Sequence, residues 1–312
     1  YNQCLKLNDD KFMLENKKEV SAIIITFNPV QEELKLLVDK LKLQVSKIYI
    51  IDNNSSVPID IDDSEQVEVT FLSDNMGIAY AQNIGINKAL NEGFIDFILF
   101  DQDSVPSESM VKELFIARQA AQFEGQRVAA VGPVHIDQDT FSECLFIRTS
   151  RYSVNRFLSS DRSENTFSPC DFLIASGCLI SKATLDDIGY MEEGLFIDCV
   201  DIEWGFRAKS KNYVCIAAFN AKMYHKVGGA PLKVLGQSLT THSPVRHYYY
   251  YRNFCRLLQR AYIPLSWKVY TLIRSSLQAL IFCVFLKPRF MQFRCIIKGV
   301  FHGLTNRSGK YE

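Results

Sequence analysis

The sequence of 312 residues lacks the cysteine pairs on which disulfide frameworks and zinc sites are built. Its nine cysteines are an odd number, and no two of them have the spacing Cys-x-x-Cys. Most of them lie in apolar runs, as Cys178 does in Gly-Cys-Leu-Ile. These features favour reduced thiols in a hydrophobic core and a protein of the cytoplasm.

Two glycine-rich turns that would indicate other nucleotide-dependent enzymes are also absent. A Rossmann dehydrogenase needs Gly-x-Gly-x-x-Gly directly after its first strand, whereas the first apolar run of this chain ends in Thr26-Phe27-Asn28-Pro29. A nucleotidyltransferase usually has a glycine-rich, basic phosphate loop near its N-terminus, and none occurs there. Both enzyme classes are therefore disfavoured.

Acidic residues are nearly absent from the last quarter of the chain. Residues 240–312 contain twelve Lys or Arg and one acid, which gives them a net charge of +11 and leaves −11 for residues 1–239. The uninterrupted apolar portion of this quarter, 277–286, is about half of the ~20 residues that a bilayer crossing needs. We therefore divide the chain into a main domain, 1–239, and a basic, apolar helical region, 240–312.

The helices of the 240–312 region are expected to lie on an anionic membrane surface, because basic and apolar side chains together suit such a surface. A helical hairpin that packs on the sheet, or a contact between copies of the chain in a homo-oligomer, is the alternative. Nucleic-acid binding, which Arg and Tyr side chains also permit, is disfavoured by the apolar run.

Apolar runs alternate with segments of helical periodicity through the main domain. The runs that indicate strands are 20–27, 47–51, 67–72, 97–100, 128–133, 172–180 and 213–219. In the run 172–180, Ser176-Gly177 interrupts the predicted strand at a point where the backbone could approach a ligand closely. Runs with almost no polar alternation are typical of strands that are buried on both faces. The order of strands and helices therefore predicts an α/β fold with a doubly wound sheet.

Polar residues follow four of these strands. The four clusters are Thr26-Phe27-Asn28, Asp52-Asn53-Asn54-Ser55, Asn75-x-Gly77 and Asp101-Gln102-Asp103. Ligands of open α/β sheets bind at the carboxyl ends of the strands. Two carboxylates spaced as Asp-x-Asp suit a divalent cation that holds a phosphorylated ligand, although the pattern also fits an ordinary turn. The presence of four clusters favours the ligand site.

A second group of acids lies further along the chain. Asp198, Asp201 and Glu203 fall within six residues, among large apolar side chains. If a helix begins near Val200, Asp201 and Glu203 lie in its first turn, where the helix dipole stabilises negative charge. Helix capping would explain one of the three acids but not all of them.

In the order of these motifs, the sequence resembles the inverting family 2 glycosyltransferases, and within them the bacterial rhamnosyltransferases that use dTDP-rhamnose. The resemblance covers roughly residues 20–229, with a weaker echo over 246–253. It implies a GT-A fold, a Rossmann-like mixed sheet, with a C-terminal helical appendage. It also implies the transfer of rhamnose, with inversion, to a glycan or to a polyprenyl-diphosphate-linked glycan of the cell envelope, such as O-antigen. A UDP-sugar glycosyltransferase of the same fold and a non-catalytic nucleotide-sugar-binding protein remain the alternatives.

The resemblance also implies roles for individual residues. The nucleotide-binding residues would be Thr26, Phe27, Asn28, Asp52, Asn53, Asn75, Gly77, Asn83, Asp101 and Gln102. A divalent metal, Mg²⁺ or Mn²⁺, would be bound by Asp103 and His225. The acceptor side would include Ser176, Gly177, Glu203 and Trp204. Lys226 and Arg252 are assigned to the diphosphate of the donor on their charge.

The catalytic base implied by the resemblance is Asp201, which would take the proton of the acceptor hydroxyl. Its apolar neighbours are expected to raise its pKa towards a value useful for this work. The family commonly has Glu-Asp at this point, and here the pair is Val200-Asp201. Asp198 therefore remains a second candidate for the base.

Overall fold

The protein is described by a computed structural model, which covers residues 20–162, 165–225, 232–234, 237–239 and 241–311. Its strands are β1 (Val20–Thr26), β2 (Lys47–Asp52), β3 (Val67–Phe71), β4 (Asp96–Asp101), β5 (Ser104–Pro106), β6 (Val128–Asp137), β7 (Phe146–Thr149), β8 (Val154–Phe157), β9 (Phe167–Cys170), β10 (Cys178–Ser181), β11 (Val214–His225), β12 (Leu232–Val234) and β13 (Gln237–Leu239). Its α-helices are α1 (Gln31–Lys42), α2 (Ile78–Asn91), α3 (Met110–Phe123), α4 (Lys182–Ile188), α5 (Val200–Ser210), α6 (Pro244–Leu258), α7 (Leu265–Phe285) and α8 (Arg289–Leu304).

Nine of the strands form one mixed sheet with the order β3-β2-β1-β4-β10-β6-β11-β5, and β9 pairs with β11. The first four strands in that order are parallel, whereas β10 runs antiparallel between β4 and β6. Because Thr26 pairs with Asp52 and Ile25 with Asp101, the carboxyl ends of β1, β2 and β4 lie together at one edge. The predicted α/β sheet is confirmed, with its polar clusters on that edge.

Helices cover both faces of this sheet. The apolar core on one face includes side chains of α1 and α3, and the core on the other face includes side chains of α2, α4 and α5. The four residues whose spacing predicts α1 are all buried, namely Leu34, Leu37, Val38 and Leu41. Burial on both faces explains why the central strands read as continuous apolar runs.

The prediction of a strand over 172–180 is wrong in its first half. The strand in this region is β10, and it begins only at Cys178. Gly177 has a φ of +77°, and a Cβ at this position would lie 2.6 Å from the side chains of Met223 and Pro133. The chain therefore turns in front of β10, and residues before the turn form a loop at the site edge.

The strand predicted over 213–219 is longer than its apolar run. β11 continues to His225 and pairs at its end with β5, where His225 is the partner of Ser104. The last residues of β11 are too polar in composition for the sequence to predict this extension. The extension brings His225 to the loop that follows β4.

Three helices make up the described part of the C-terminal region. α6 and α8 approach closely, since a Cβ at Gly299 would lie 2.5 Å from the carbonyl oxygen of Tyr248. By length and composition alone, α7 is able to cross a membrane. Only 17% of its most apolar 18-residue stretch is buried in the protein. The hydroxyl of Tyr251 donates to the Ser275 carbonyl at 2.9 Å, so one side of α7 is attached to α6. The division of the chain at residue 240 stays a prediction.

Candidate active site

The first part of the site is a buried carboxylate, Asp52, at the end of β2. The hydroxyls of Thr26 and Ser55 donate to its Oδ1 at 2.8 and 2.5 Å. The backbone amide of Ser55 donates to its Oδ2 at 2.8 Å. These bonds fix the carboxylate, and Oδ2 keeps the capacity to accept from another N–H group.

Two side chains connect the loops that follow β1, β2 and β4. Gln102 pairs with the backbone of Phe27, whose amide donates to Oε1 at 2.7 Å and whose carbonyl accepts from Nε2 at 3.3 Å. Oδ1 of Asn28 accepts from the backbone amide of Ser56 at 2.8 Å, and the backbone amide of Asn28 donates to the Ser55 hydroxyl at 2.7 Å. Three of the predicted nucleotide motifs therefore form one connected surface.

The loop in front of α2 joins this surface to the segment that leads into α5. Asn53 accepts from the amide of Met76 at 2.8 Å, and Asn75 accepts from the amide of Gly77 at 3.0 Å. Gly77 has a φ of +88°, and a Cβ there would lie 2.5 Å from the Phe196 carbonyl oxygen. Glycine is thus required where the Asn-x-Gly loop touches the segment that leads into α5.

The two predicted metal ligands come from distant parts of the chain, and the pairing of β5 with β11 brings their backbone segments together. Asp103 directly precedes β5, and the next residue, Ser104, is the partner of His225 across β5 and β11. Asp101 ends β4, two residues before Asp103. Burial, with the nearby charges of Asp103 and Asp201, raises the pKa of Asp101 to about 7.

These side chains fit a divalent cation. Nδ1 of His225 is buried and has no hydrogen-bond partner among the described residues, a condition that is rare for a polar atom. Within the same residues, no group of three or more His, Cys, Asp or Glu is arranged to hold an ion. Phosphate oxygens of a ligand would therefore have to complete the coordination, as they commonly do for Mg²⁺. Lys226, which was assigned to the diphosphate, lies outside the described residues.

Asp201 lies in the first turn of α5, as the sequence predicts. The amide of Ile202 donates to its Oδ1 at 2.9 Å, and the amide of Ala175 also donates to this carboxylate. Burial raises the pKa of Asp201 to about 6, and the negative charge of Asp198 acts in the same direction. A carboxyl of this kind is mostly ionised at neutral pH and yet takes up a proton more readily than an ordinary aspartate.

The turn that leads into α5 has a strained backbone. Phe196, Asp198 and Cys199 have φ values of +65°, +64° and +63°. A positive φ of this kind costs on the order of 1–3 kcal/mol for each residue other than glycine. Strain of this kind persists where surrounding contacts hold it, and such places are often functional.

Asn253 of α6 supplies contacts that hold this turn. Its Nδ2 donates to the carbonyl oxygens of Leu195, Ile197 and Asp198 at 2.8, 2.7 and 2.9 Å. Asn253 is fully buried. The C-terminal helical region therefore shapes the backbone directly in front of Asp201.

The loop before β10 borders the same cluster of carboxylates. Oγ of Ser176 accepts from the backbone amide of Asp101 at 3.1 Å and lies 2.6 Å from Oγ of Ser104. Gly177 follows in the turn described above. These two residues are placed beside the candidate site, and their contact with an acceptor stays a prediction.

Two other residues that were assigned to the acceptor side make internal contacts. Glu203 is buried, pairs with Arg207 at 2.8 Å and accepts from the Tyr262 hydroxyl at 2.5 Å. Nε1 of Trp204 donates to the carbonyl of Gly189 at 2.9 Å. Both contacts anchor α5 to its surroundings and so support Asp201 indirectly. Contact of Glu203 or Trp204 with the acceptor stays a prediction.

Asn83 and Arg252 are likewise occupied by contacts within the protein. Asn83 Nδ2 donates to the Met191 carbonyl at 3.0 Å. Arg252 donates to the carbonyls of Leu195 at 2.8 Å and Gly309 at 2.5 Å. These bonds fix the segment before α5 and the end of the chain. The predicted contacts of Asn83 with nucleotide and Arg252 with diphosphate remain untested, and the internal bonds argue against them.

Two residues that the sequence patterns did not single out also belong to this region. Arg246 of α6 has its Nη2 3.2 Å from Oδ1 of Asp198, and its charge lowers the pKa of Asp101. Gln82 of α2 is buried beside Asp201, and its Oε1 has no partner among the described residues. Arg246 lies in an aromatic, basic segment without a polar motif. The one signal that could have indicated it is the weaker family resemblance over residues 246–253.

Comparison with known proteins identifies the family. Residues 21–189 match the family model described as glycosyl transferase family 2. The chain belongs to glycosyl transferase family 2. It is 31% identical over 264 residues to the dTDP-rhamnosyl transferase RfbF of Shigella flexneri, an alignment that covers 83% of this chain and 87% of that protein. This family 2 chain is therefore a glycosyltransferase, as the resemblance predicted.

Two solved structures have a similar fold. TarS 1–349 of S. aureus in complex with UDP-GlcNAc has a TM-score of 0.56 at 14% identity, over 90% of this chain and 81% of that one. GalNAc-T7 with UDP, GalNAc and Mn²⁺ has a TM-score of 0.57 at 14% identity, over 93% of this chain and 56% of that one. At such identities the likeness concerns the fold alone, and it confirms the predicted GT-A fold.

Proposed function

We propose that this glycosyltransferase moves rhamnose from dTDP-rhamnose to a hydroxyl group of a glycan, with inversion at the anomeric carbon. The observation that carries the proposal is the 31% identity to a dTDP-rhamnosyl transferase over 87% of that protein's length. The arrangement of Asp52, Asp101 and Asp103 along one sheet edge supports a nucleotide site there.

Asp52 would bind the base of the donor. Its Oδ2 accepts one bond, from the Ser55 amide, and has room to accept from N3–H of thymine. Uracil presents the same N3–H group, so this residue does not separate dTDP from UDP. The Gln102 and Asn28 contacts hold the loops on either side of Asp52 in place.

Asp103 and His225, with Asp101 close by, would hold a divalent cation together with the diphosphate. A carboxylate and phosphate environment suits Mg²⁺ or Mn²⁺, and an imidazole ligand favours Mn²⁺ of the two. When bound, such an ion supplies neutralisation of the charge that develops on the leaving diphosphate. Mn²⁺ is present in the GalNAc-T7 structure of similar fold.

Asp201 would act as the general base of a single displacement. The acceptor oxygen forms a bond to the anomeric carbon as the bond from that carbon to the diphosphate oxygen breaks. The electron pair of the broken bond leaves with dTDP, and the proton of the acceptor hydroxyl passes to Asp201. Inversion follows because the attacking oxygen and the leaving group are on opposite sides of the carbon. The raised pKa of Asp201, about 6, suits a group that must accept this proton.

The C-terminal helices would hold the enzyme at the cytoplasmic face of the inner membrane, where polyprenyl-diphosphate-linked acceptors are found. Large apolar side chains on α7 and α8 are exposed, and we call them the apolar face. They are Leu265, Val269, Leu272, Ile273, Leu277, Leu280, Val284, Phe285, Phe290, Met291, Phe293, Ile297, Phe301 and Leu304. An apolar patch of this extent indicates an interaction surface. Because residues 240–311 contain no acid, an anionic lipid surface is the complementary partner.

A donor screen tests the proposed function. Purified protein is incubated with dTDP-rhamnose, UDP-sugars and GDP-sugars, with Mn²⁺ present or chelated, and the released nucleoside diphosphate is measured. Release from dTDP-rhamnose that depends on Mn²⁺ is expected. Release from UDP-sugars alone would support the second candidate function, that of a UDP-sugar glycosyltransferase. Binding of a donor without release of nucleoside diphosphate from any of them would indicate the non-catalytic nucleotide-sugar-binding protein.

A further inference from the structure

Arg246 and Asp198 form an ion pair between α6 and the turn before α5. Nη2 of Arg246 lies 3.2 Å from Oδ1 of Asp198, and Nε lies 3.3 and 3.4 Å from the two carboxylate oxygens. The Asp198 side chain is 17% exposed and that of Arg246 is 44% exposed. Two guanidinium nitrogens thus face one largely buried carboxylate, which gives this contact a direction that a lysine could not reproduce.

Both partners of the pair lie at the start of a helix. The Ser243 hydroxyl caps α6 by accepting from the backbone amide of Arg246 at 3.3 Å. On the other side, the carbonyl of Cys199 accepts from the amide of Glu203 at 2.9 Å as α5 begins. The ion pair therefore joins the first turn of α6 to Asp198, which lies two residues before α5 begins.

We propose that Arg246 is a positioning residue for Asp201. Its pair with Asp198 fixes the side chain of the left-handed turn, while Asn253 fixes the backbone of the same residue. The pair also occupies the Asp198 carboxylate, so that Asp201 is the carboxyl left to accept the proton. This inference rests on the proposed function, since it assigns Arg246 work in that reaction.

The pair of Arg246 and Asp198 also affects the charge around Asp201. The titratable groups that interact with Asp201 are Asp198 and Cys199 in the turn, Asp101 on β4 and Cys178 on β10. Those that interact with Asp198 are Arg246, His242, His247 and Tyr250, besides Cys199. Arg246 is the permanent cation in this group, and it balances the charge of Asp198 next to Asp201.

Opposite effects on Asp201 are therefore expected from changing the two partners. Asp198→Asn removes a negative charge beside Asp201 and should lower the pKa of Asp201 from its value of about 6. Arg246→Gln leaves Asp198 unpaired and should raise the pKa of Asp201. Arg246→Lys keeps the positive charge but loses the contact of two nitrogens with Asp198. It should therefore change the pKa of Asp201 little and still lower kcat.

The experiment measures these variants in two independent ways. Carboxyl carbons of ¹³C-labelled aspartate are titrated by NMR, with Asp201→Asn to assign the signal, and this readout does not need any transfer activity. In parallel, kcat for transfer and the dissociation constant of the donor are measured. The control is Arg127→Gln, which breaks an exposed Arg–Asp pair of 3.1 Å with Asp187 at the opposite edge of the sheet.

We expect the pKa of Asp201 to shift in opposite directions in Asp198→Asn and Arg246→Gln. We also expect Arg246→Gln to lower kcat about tenfold or more and to retain its affinity for the donor. Unchanged pKa and kcat in Arg246→Gln, equal to the Arg127→Gln control, would overturn the inference. Loss of donor affinity with kcat unchanged would also overturn it, since Arg246 would then bind donor. If the wild-type protein transfers no sugar, the proposed function fails, and the NMR titration still decides whether Arg246 and Asp198 act on Asp201.

Discussion

Ser104, the residue that follows Asp103, pairs with His225 across β5 and β11 at the edge of the sheet. The imidazole Nδ1 of His225 is buried and has no partner among the described residues. The pairing brings the backbone at Asp103 next to His225, and carboxylate and imidazole groups are both ligands of divalent cations. This pairing connects the loop that follows β4, which contains Asp103, to the carboxyl end of β11.

Asp103→Ala should weaken the Mn²⁺-dependent binding of dTDP by about tenfold or more, because the cation loses a direct ligand. Isothermal calorimetry with and without Mn²⁺ measures the effect. His225→Ala should act in the same direction. The control is Asp39→Ala, which removes an exposed carboxylate on α1. If affinity in Mn²⁺ is the same in Asp103→Ala as in this control, Asp103 is not a metal ligand.

The rate of transfer should fall as the pH is lowered through about 6. A base must be ionised to accept the acceptor proton, and burial raises the pKa of Asp201 to about 6, so protonation below that pH removes the active form. A profile of log kcat/KM against pH should therefore show an acidic limb near this value. An acidic limb at the ordinary pKa of an exposed aspartate, near 4, would contradict the assignment.

Gly77→Ala should destabilise the protein and impair transfer, whereas Gly93→Ala should be milder. Both glycines have a φ of +88°, but a Cβ at Gly77 meets the Phe196 carbonyl at 2.5 Å and a Cβ at Gly93 meets nothing within 4 Å. The pair of variants separates crowding from backbone strain. Thermal unfolding should place Gly77→Ala about 1–3 kcal/mol below Gly93→Ala, and equal stabilities would mean that the loop moves freely away from Phe196.

The central sheet could be predicted from the sequence because its strands are buried on both faces. Such burial requires unbroken apolar runs, and the polar residues that end them mark the edge where ligands bind. Asp52, Asp101 and Asp103 were found in this way. The acidic group that contains Asp201 was noticed because Asp198, Asp201 and Glu203 fall within six residues among large apolar side chains. The choice of Asp201 within that group came from the family resemblance.

Contacts between distant segments could not be predicted in the same way. The extension of β11 to His225 has no apolar run, since its partner β5 is a short edge strand. The strand predicted over 172–180 begins only at Cys178 because Gly177 is packed against Met223 and Pro133. The pair of Arg246 and Asp198 depends on how α6 docks, and no local pattern in either segment carries that information.

Leu280→Glu or Phe293→Glu should weaken binding of the protein to anionic vesicles, because each places a negative charge on the apolar face defined above. Co-sedimentation with phosphatidylglycerol vesicles, compared with phosphatidylcholine vesicles, measures the effect. Leu43→Glu is the matched control, since Leu43 is exposed on the main domain. If wild-type protein does not sediment with anionic vesicles and instead forms oligomers that either substitution dissociates, the apolar face binds another copy of the chain.

Asp201→Asn tests the central claim most directly, because it replaces the carboxylate by an amide of almost the same size. Transfer from the active nucleotide-sugar donor should fall by about 10²–10⁴-fold, the usual contribution of a general base. The dissociation constant of the donor should change by no more than a few-fold. Transfer at the wild-type rate would show that Asp201 is not the base, and Asp198 would then be the carboxylate to test.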